Sequence, residues 1–392
     1  INPVFIGKEK DTVITGYVTD IITDLTINWL DQKRDDSKPF MMMYLHKAPH
    51  RAWWPSPEKF EEFYEKKFPE PETLFDDYSN RSTAASSAEM NILKHMHLMQ
   101  DNKVYPKTIK KMGELVKDIT YTGEDRGVRK AGSREFTRPF GRANKVQQEQ
   151  YKKTLDKISS DFEANWPTMD DKEKTRWKYQ RYMQDYLATI SSVDDNVGRV
   201  LDYLDENKLS DNTLVVYTSD QGFYLGEHGW YDKRFIYNES FKTPLLVRWP
   251  NKIEAGITND EMVQNLDFAQ TFLQAAGIDA PEDMQGESLM PLLVNNLDDW
   301  SRDAVYYHYY EYPSVHMVKR HYGIVSKKYK LVHYYYDIDE WEFFDRQKDP
   351  KELKNLYDDS SYQEEIKEMK TRLNETRIKY KDSDELSQTF IY

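Results

Sequence analysis

The chain has 392 residues, no cysteine and a formal net charge of −13. The absence of thiols excludes disulfides, zinc–thiolate sites and a cysteine nucleophile within this chain, and the acidic balance argues against a nucleic-acid binder, which needs a basic face. A cleft can still focus positive potential on a small anion, and 39% hydrophobic residues are enough for one large α/β domain and a smaller one.

Ile1–Gly7 has no signal-peptide character and the first residue is not Met, so the natural N-terminus is expected to lie upstream. No apolar run is long enough to span a membrane. Between Val13 and Leu30 the apolar residues Ile14, Tyr17, Val18, Ile21, Ile22 and Leu25 recur at helical spacing. Phe40–Leu45 follows Pro39 as a continuous apolar run, which predicts a buried strand leading into His46-Lys47-Ala48-Pro49-His50. Residues 55–100 read as helical pieces, the first opening at Ser56. Residues 120–180 are highly charged and poor in aliphatics; they predict an insertion of surface helices and loop without a core of its own. From Trp177 to Leu204 an amphipathic helix carries Tyr182, Tyr186, Ile190, Val193, Val197 and Leu201 on one stripe.

Leu214–Tyr217 predicts a second buried strand, ending at Thr218-Ser219-Asp220-Gln221-Gly222, with the loop Gly226-Glu227-His228-Gly229 close behind. Thr243–Trp249 predicts a third strand, closed by Pro250, and residues 263–276 a helix entered through Asn265 or Asp267. Beyond residue 300, aromatic runs at Val305–Tyr310, Val318–Val325, Tyr329–Tyr336 and Trp341–Phe344 alternate with turns, the pattern of an antiparallel meander. Ser361–Tyr380 predicts a last amphipathic helix. The order predicts an α/β fold: a large mixed central sheet flanked by helices over 1–300, and a smaller α+β subdomain on an antiparallel sheet over 301–392.

Functional groups in open α/β sheets gather at the C-terminal ends of strands. The first predicted strand delivers His46, Lys47, His50 and Arg51 there. The second delivers Asp220 and Gln221, with His228, Lys233 and Arg234 following. Carboxylate and amide oxygens suit Ca2+ or Mg2+. Lysine and arginine bind an oxyanion, and histidine can protonate a leaving oxygen. Together these are the parts of a sulfuryl or phosphoryl ester hydrolase. Taken singly, each has a plain structural reading: a strand-end turn for Asp220, a loop histidine for His50, a solvated surface lysine for Lys233.

Thr218–Gly229, then Asp232-Lys233-Arg234, then Thr243-Pro244-Leu245-Leu246-Val247, resembles the second half of the sulfatase signature region. Phe40–His50 is similar to the segment carrying that family's leaving-group histidine. Trp341–Pro350, followed by Glu352 and Asn355, resembles its C-terminal signature. The likeness covers nearly the whole chain and implies an alkaline-phosphatase-like fold and sulfate-ester hydrolysis. By that resemblance His50 and Lys233 are catalytic, His50 at the bridging oxygen and Lys233 on the sulfate oxygens, while Asp220 and Gln221 hold Ca2+, with Mg2+ as the alternative. The family nucleophile is a formylglycine made from Cys or Ser in a Cys/Ser-x-Pro-x-Arg motif, and no such motif occurs here. It is expected upstream, in a missing N-terminal segment or on a separate polypeptide, and this chain alone is expected to be inactive.

The wording Lys-Ala-Pro-His-Arg is similar to carbohydrate sulfatases, which implies a sulfated glycan partner, N-acetylglucosamine 6-sulfate ahead of a hexuronate 2-sulfate. Arg51, His228, His308, Glu311, His316 and His321 are the expected sugar contacts; packing between domains is the competing reading of the 308–321 stretch. Export to a periplasmic, lysosomal or extracellular setting follows from the family alone. The competing functions are a phosphatase or phosphodiesterase of the same superfamily and a catalytically dead glycan-binding protein.

Overall fold

The computed structural model describes residues 1–5, 11–119 and 128–391. Internal contacts divide the chain into two units. One contains Ile1–Phe75, Met90–Leu209 and Leu225–Tyr231; the other contains Asp76–Glu89, Ser210–Tyr224 and Asp232–Tyr392.

The first unit is helical. Its first helix, α1, is Val18–Gln32 and starts later than the apolar spacing predicts. Gly16 takes a φ of 143° and Tyr17 is extended, so the chain cannot enter a helix until Val18. Helix α2 is Pro57–Tyr64, where Ser56 accepts from the Lys59 backbone N–H and proline occupies the first turn. Helix α3, Lys145–Asn165, opens with a capping box between Asn144 and Gln147. Helix α4, Asp171–Glu206, runs for 36 residues. It starts six residues before the predicted Trp177, because Asp170 and Glu173 cap each other's backbone N–H at 2.8 Å and stabilise a charged first turn.

Two expectations fail in this unit. The charged stretch is not merely a surface insertion: Phe136, Tyr151, Leu155, Ile158, Phe162 and Trp166 are buried in a core shared with Trp54, Phe60, Leu98 and Val104. Its buried residues are mainly aromatic, so a search for aliphatic periodicity passes over them; residues 120–127 lie outside the described residues. Phe40–Leu45 is not a strand. Met41, Met43 and Leu45 are exposed, and the segment pairs with no strand among the described residues. Pairing, not apolarity, makes a strand.

The second unit carries the antiparallel meander. Strands β1, Val215–Thr218, and β2, Leu245–Arg248, pair antiparallel, Val215 opposite Arg248. Among the described residues of 1–300, where the sequence predicts a large mixed sheet, the ladders are two-stranded and this pair is one of them. Helix α5 is Asp267–Ala275. Four strands follow: β3, Ala304–Tyr309; β4, His321–Ser326; β5, Tyr329–Tyr334; and β6, Glu340–Asp345, each paired with the next. Their inward residues pack on helix α6, Gln363–Lys379, with Ile324, Leu331, Phe343, Ile366, Met369 and Leu373 buried together.

The C-terminal signature residues serve this sheet. Asn355 accepts from Phe343 N–H at 2.9 Å and donates to Trp341 O at 2.9 Å, completing the free edge of β6. Asp349 caps the backbone N–H groups of Leu353 and Lys354 at 2.7 and 2.8 Å. Glu352 is buried against Lys330, 2.6 Å from its ammonium.

Candidate functional site

In the first unit the segment Lys47–Trp53 is a tight loop. The His50 N–H donates to Lys47 O at 2.9 Å, and the buried Trp53 indole donates to Pro49 O at 2.8 Å. His50 is exposed, and its Nδ1 lies 2.7 Å from Arg51 O. A carbonyl only accepts, so Nδ1 carries a proton and Nε2 is the nitrogen that exchanges one. The Arg51 side chain turns inward instead of towards a ligand: Nε and Nη2 donate to the two oxygens of buried Asp101 at 2.7 and 2.6 Å. His228 is fully buried, its N–H donating to Thr73 Oγ1 at 3.0 Å and its ring lying against Trp230.

In the second unit Asp220 and Gln221 follow β1 directly, Asp220 exposed. Asp220 O accepts from Asn265 Nδ2 at 2.8 Å and Gln221 O from Ser219 Oγ at 2.9 Å, so side-chain donors fix the turn through its carbonyls, and Asp220 Oδ1 also accepts from Ser219 Oγ at 3.3 Å. Gly222 is required next: a Cβ there would lie 2.2 Å from Glu239 O and 2.6 Å from Lys242 O. Two hard oxygen donors match the chemistry of Ca2+ but not its six to eight ligands. Among the described residues no group of three His, Cys, Asp or Glu side chains is placed to hold a metal.

Lys233 lies over the Phe223 ring, 5.4 Å from its centroid, with Nζ 3.5 Å from Asp232 Oδ1. Asp232 is the hub of this cluster, which sequence reasoning missed. It is buried, accepts from Arg234 Nη1 at 3.0 Å, and faces His316 Nε2 at 3.0 Å. Burial alone would raise its carboxyl pKa, but the His316 hydrogen bond and charge, with Arg234 and Lys233, hold it well below the usual carboxylate range. Asp232 and Arg234 both have positive φ, 75° and 119°, a strained backbone of the kind concentrated at functional sites. In sequence, Asp-Lys-Arg looks like ordinary solvated charge; the strain and burial that distinguish it are three-dimensional.

The other expected sugar contacts mostly turn inward. His316 is buried between Asp232 and Glu89 O, its Nδ1 2.8 Å from the latter. His321 donates from Nδ1 to Lys319 O at 2.8 Å and accepts at Nε2 from Ile236 N–H at 3.2 Å; burial pushes its pKa down to about 3, so it is a neutral interior ring. His308 is held between Asp382 at 2.9 Å and Tyr335 Oη at 2.7 Å, with burial lowering it to about 4. Their ring nitrogens are occupied by protein partners, which leaves none for a sugar; the histidine-rich stretch is a polar, aromatic packing seam. Glu311 is exposed, 3.4 Å from Tyr309 Oη.

The sulfatase family profile matches residues 3–278, and the chain belongs to the sulfatase family. A second profile, N-sulphoglucosamine sulphohydrolase, C-terminal, matches residues 226–379. Among curated relatives, an N-acetylglucosamine-6-O-sulfatase of Bacteroides thetaiotaomicron is 45% identical over 98% of this chain and 65% of its own length. A human N-acetylglucosamine-6-sulfatase is 26% identical over 76% of this chain and 40% of its own. The chain therefore spans less than two thirds of the length of either. A structure determined in complex with its substrate, D-glucosamine-2-N,6-O-disulfate, superposes with a TM-score of 0.87 at 42% identity, over 98% of this chain and 74% of that one. A Bacteroides thetaiotaomicron structure at 18% identity, with a TM-score of 0.62 over 97% of this chain and 68% of that one, shares the fold. The fold is thus alkaline-phosphatase-like, with a C-terminal antiparallel-sheet subdomain.

Proposed function

We propose that the protein to which this chain belongs hydrolyses the 6-O-sulfate ester of glucosamine-type sugars, N-acetylated or N-sulfated. The observation that carries this reading is 45% identity over 98% of the chain to an N-acetylglucosamine-6-O-sulfatase. Each site residue then takes a role suited to its chemistry. The Lys233 ammonium neutralises sulfate oxygens as negative charge builds. His50, protonated at Nε2, gives that proton to the bridging oxygen as the sugar alcohol leaves. Asp220 and Gln221 would supply two of the oxygen ligands of a Ca2+ ion, which would offset negative charge on the sulfate. A formylglycine, typical of the family, would supply the nucleophilic hydroxyl. Glu311, exposed in the second unit, accepts a sugar hydroxyl. Export is part of the reading, by family membership.

The test is to incubate the full-length protein with N-acetylglucosamine 6-sulfate, a hexuronate 2-sulfate and a phosphate monoester, and to measure released sulfate and phosphate by ion chromatography. Sulfate release from the glucosamine ester in preference to the other two is the expected result. Preference for the hexuronate would replace the substrate, and preference for phosphate would replace the reaction. Glycan binding without turnover of any ester would identify a binding protein.

A further inference from the structure

His50 touches a backbone carbonyl, and the residue owning that carbonyl is bolted to the interior. Arg51 O lies 2.7 Å from His50 Nδ1, while the Arg51 side chain makes two parallel bonds, 2.7 and 2.6 Å, to Asp101. Paired arginine–carboxylate bonds fix orientation as well as distance. The guanidinium also lies over the Tyr231 ring, 5.1 Å from its centroid. Asp101 is fully buried and is itself held, its Oδ2 accepting from His97 N–H at 2.7 Å. The segment around it is fastened to α4: Lys178 donates to Leu93 O at 2.7 Å and Met96 O at 2.6 Å, and Asn102 Nδ2 donates to Lys178 O at 3.3 Å. A rigid path therefore runs from the longest helix through Asp101 and Arg51 to the ring of His50.

We propose that Asp101 is a positioning residue for the leaving-group proton transfer, acting through the Arg51 side chain and carbonyl to hold the His50 tautomer and ring direction. Arg51 is then a strut and not a sugar contact. The inference rests on His50 being the leaving-group acid of the proposed function. In that step the S–O bond to the sugar breaks, the bond pair stays on the bridging oxygen, and that oxygen takes the proton from His50 Nε2. The sulfuryl group passes to the hydroxyl nucleophile, whose own proton goes to solvent water. A sugar alkoxide is a poor leaving group and needs the proton; 4-nitrophenolate is a stable anion and does not.

The experiment compares kcat/KM of the full-length enzyme for N-acetylglucosamine 6-sulfate and for 4-nitrophenyl sulfate in His50→Ala, Asp101→Asn and Arg51→Lys. His50→Ala is expected to lose roughly 100-fold or more on the sugar ester alone, the scale of an acid catalyst. Asp101→Asn and Arg51→Lys are expected to lose about tenfold or more on the sugar ester, as for a misplaced group, with the aryl ester changed less than about threefold. Arg51→Lys keeps the positive charge on Asp101 and decides the matter if Asp101→Asn does not fold. Should the aryl ester be too slow, the oxygen-18 isotope effect at the bridging oxygen of the sugar ester replaces it, and is expected to rise in all three variants. Equal losses on both esters, or no loss, in the Asp101 and Arg51 variants while His50→Ala keeps its selective loss overturn the positioning role. No selective loss in His50→Ala overturns the proposed role of His50 instead.

Discussion

Nε2 of His316 lies 3.0 Å from Oδ2 of Asp232, while Nδ1 of the same ring lies 2.8 Å from the carbonyl oxygen of Glu89. Both partners accept, so the ring satisfies both only as an imidazolium that donates twice. The second unit thus holds a buried ion pair directly behind Lys233 and Arg234. Asp232 organises all three cations, although only Lys233 was singled out by its motif.

Removing one member of a buried pair strands the other. Asp232→Asn is therefore expected to cost about 3–5 kcal/mol of stability at neutral pH. The folded-state pKa of Asp232 is depressed below its unfolded value of about 3.9. Its contribution is therefore fully present above that value and is lost as pH falls through the folded pKa. Denaturant unfolding of wild type and variant from neutral to acid should show their difference shrinking below about pH 4. A constant difference would mean that Asp232 contributes through packing alone.

His321 adds a second acid sensitivity of the same sign, visible at milder pH. Its folded pKa, pushed down by burial to about 3, lies below its unfolded value of about 6.5. Between those values the unfolded chain binds a proton that the folded chain refuses, so stability falls as pH drops from 6.5 towards 3. From pH 7 to pH 5 this one ring is expected to cost about 2 kcal/mol. His321→Gln cannot take up that proton. The same pH step, followed by urea unfolding, should therefore cost the variant about 2 kcal/mol less than wild type, whatever its stability at pH 7.

Gly222 follows the metal-ligand candidates directly in sequence and has no room for a side chain. The nearest obstacles to a Cβ are backbone atoms of Glu239, Ser240 and Lys242, which cannot rotate away. Gly222→Ala is expected to lose about 1–3 kcal/mol, the usual cost of overpacking. The loss is read as a lower unfolding midpoint with an unchanged denaturant slope. Gly256, with nothing within 4 Å of a Cβ but a φ of 79°, is the control: Ala there is opposed by backbone conformation alone.

The legible parts of this chain are those where chemistry and period agree. The aromatic runs over 304–345 alternate with turns as a meander should, and the strands follow them within a few residues. Ser56 and the proline after it mark a helix start by capping chemistry that needs no tertiary partner. Phe40–Leu45 was not legible, because an apolar run states a preference for burial and not the presence of a ladder partner. Asp101 was hidden for the converse reason. It stands in the polar run Gln100-Asp101-Asn102-Lys103, which reads as a solvated turn, yet 101–103 are fully buried. His316 and His321 were conspicuous as histidines, but only the structure shows their ring nitrogens already engaged.

Lys233 gives the sharpest test of the site itself. Its side chain is largely covered, with Asp232 Oδ1 3.5 Å from Nζ on one side and the Phe223 ring on another, so few directions remain for the ammonium. A lysine held this way presents charge to an anion without reorganising, which is where electrostatic catalysis gains most. Lys233→Ala in the full-length enzyme is expected to lower turnover of N-acetylglucosamine 6-sulfate by about two orders of magnitude or more. Lys233→Arg keeps the charge but replaces a compact ammonium with a planar fork, and should recover only part of that loss. The measurement is sulfate release under saturating and limiting substrate. A loss confined to KM would make Lys233 a binding residue only, and a loss in kcat places its charge on the transition state. Because Asp232 keeps His316 and Arg234 in either variant, unfolding midpoints should move far less than in Asp232→Asn. A Lys233→Ala protein as unstable as Asp232→Asn would trace the lost activity to the fold.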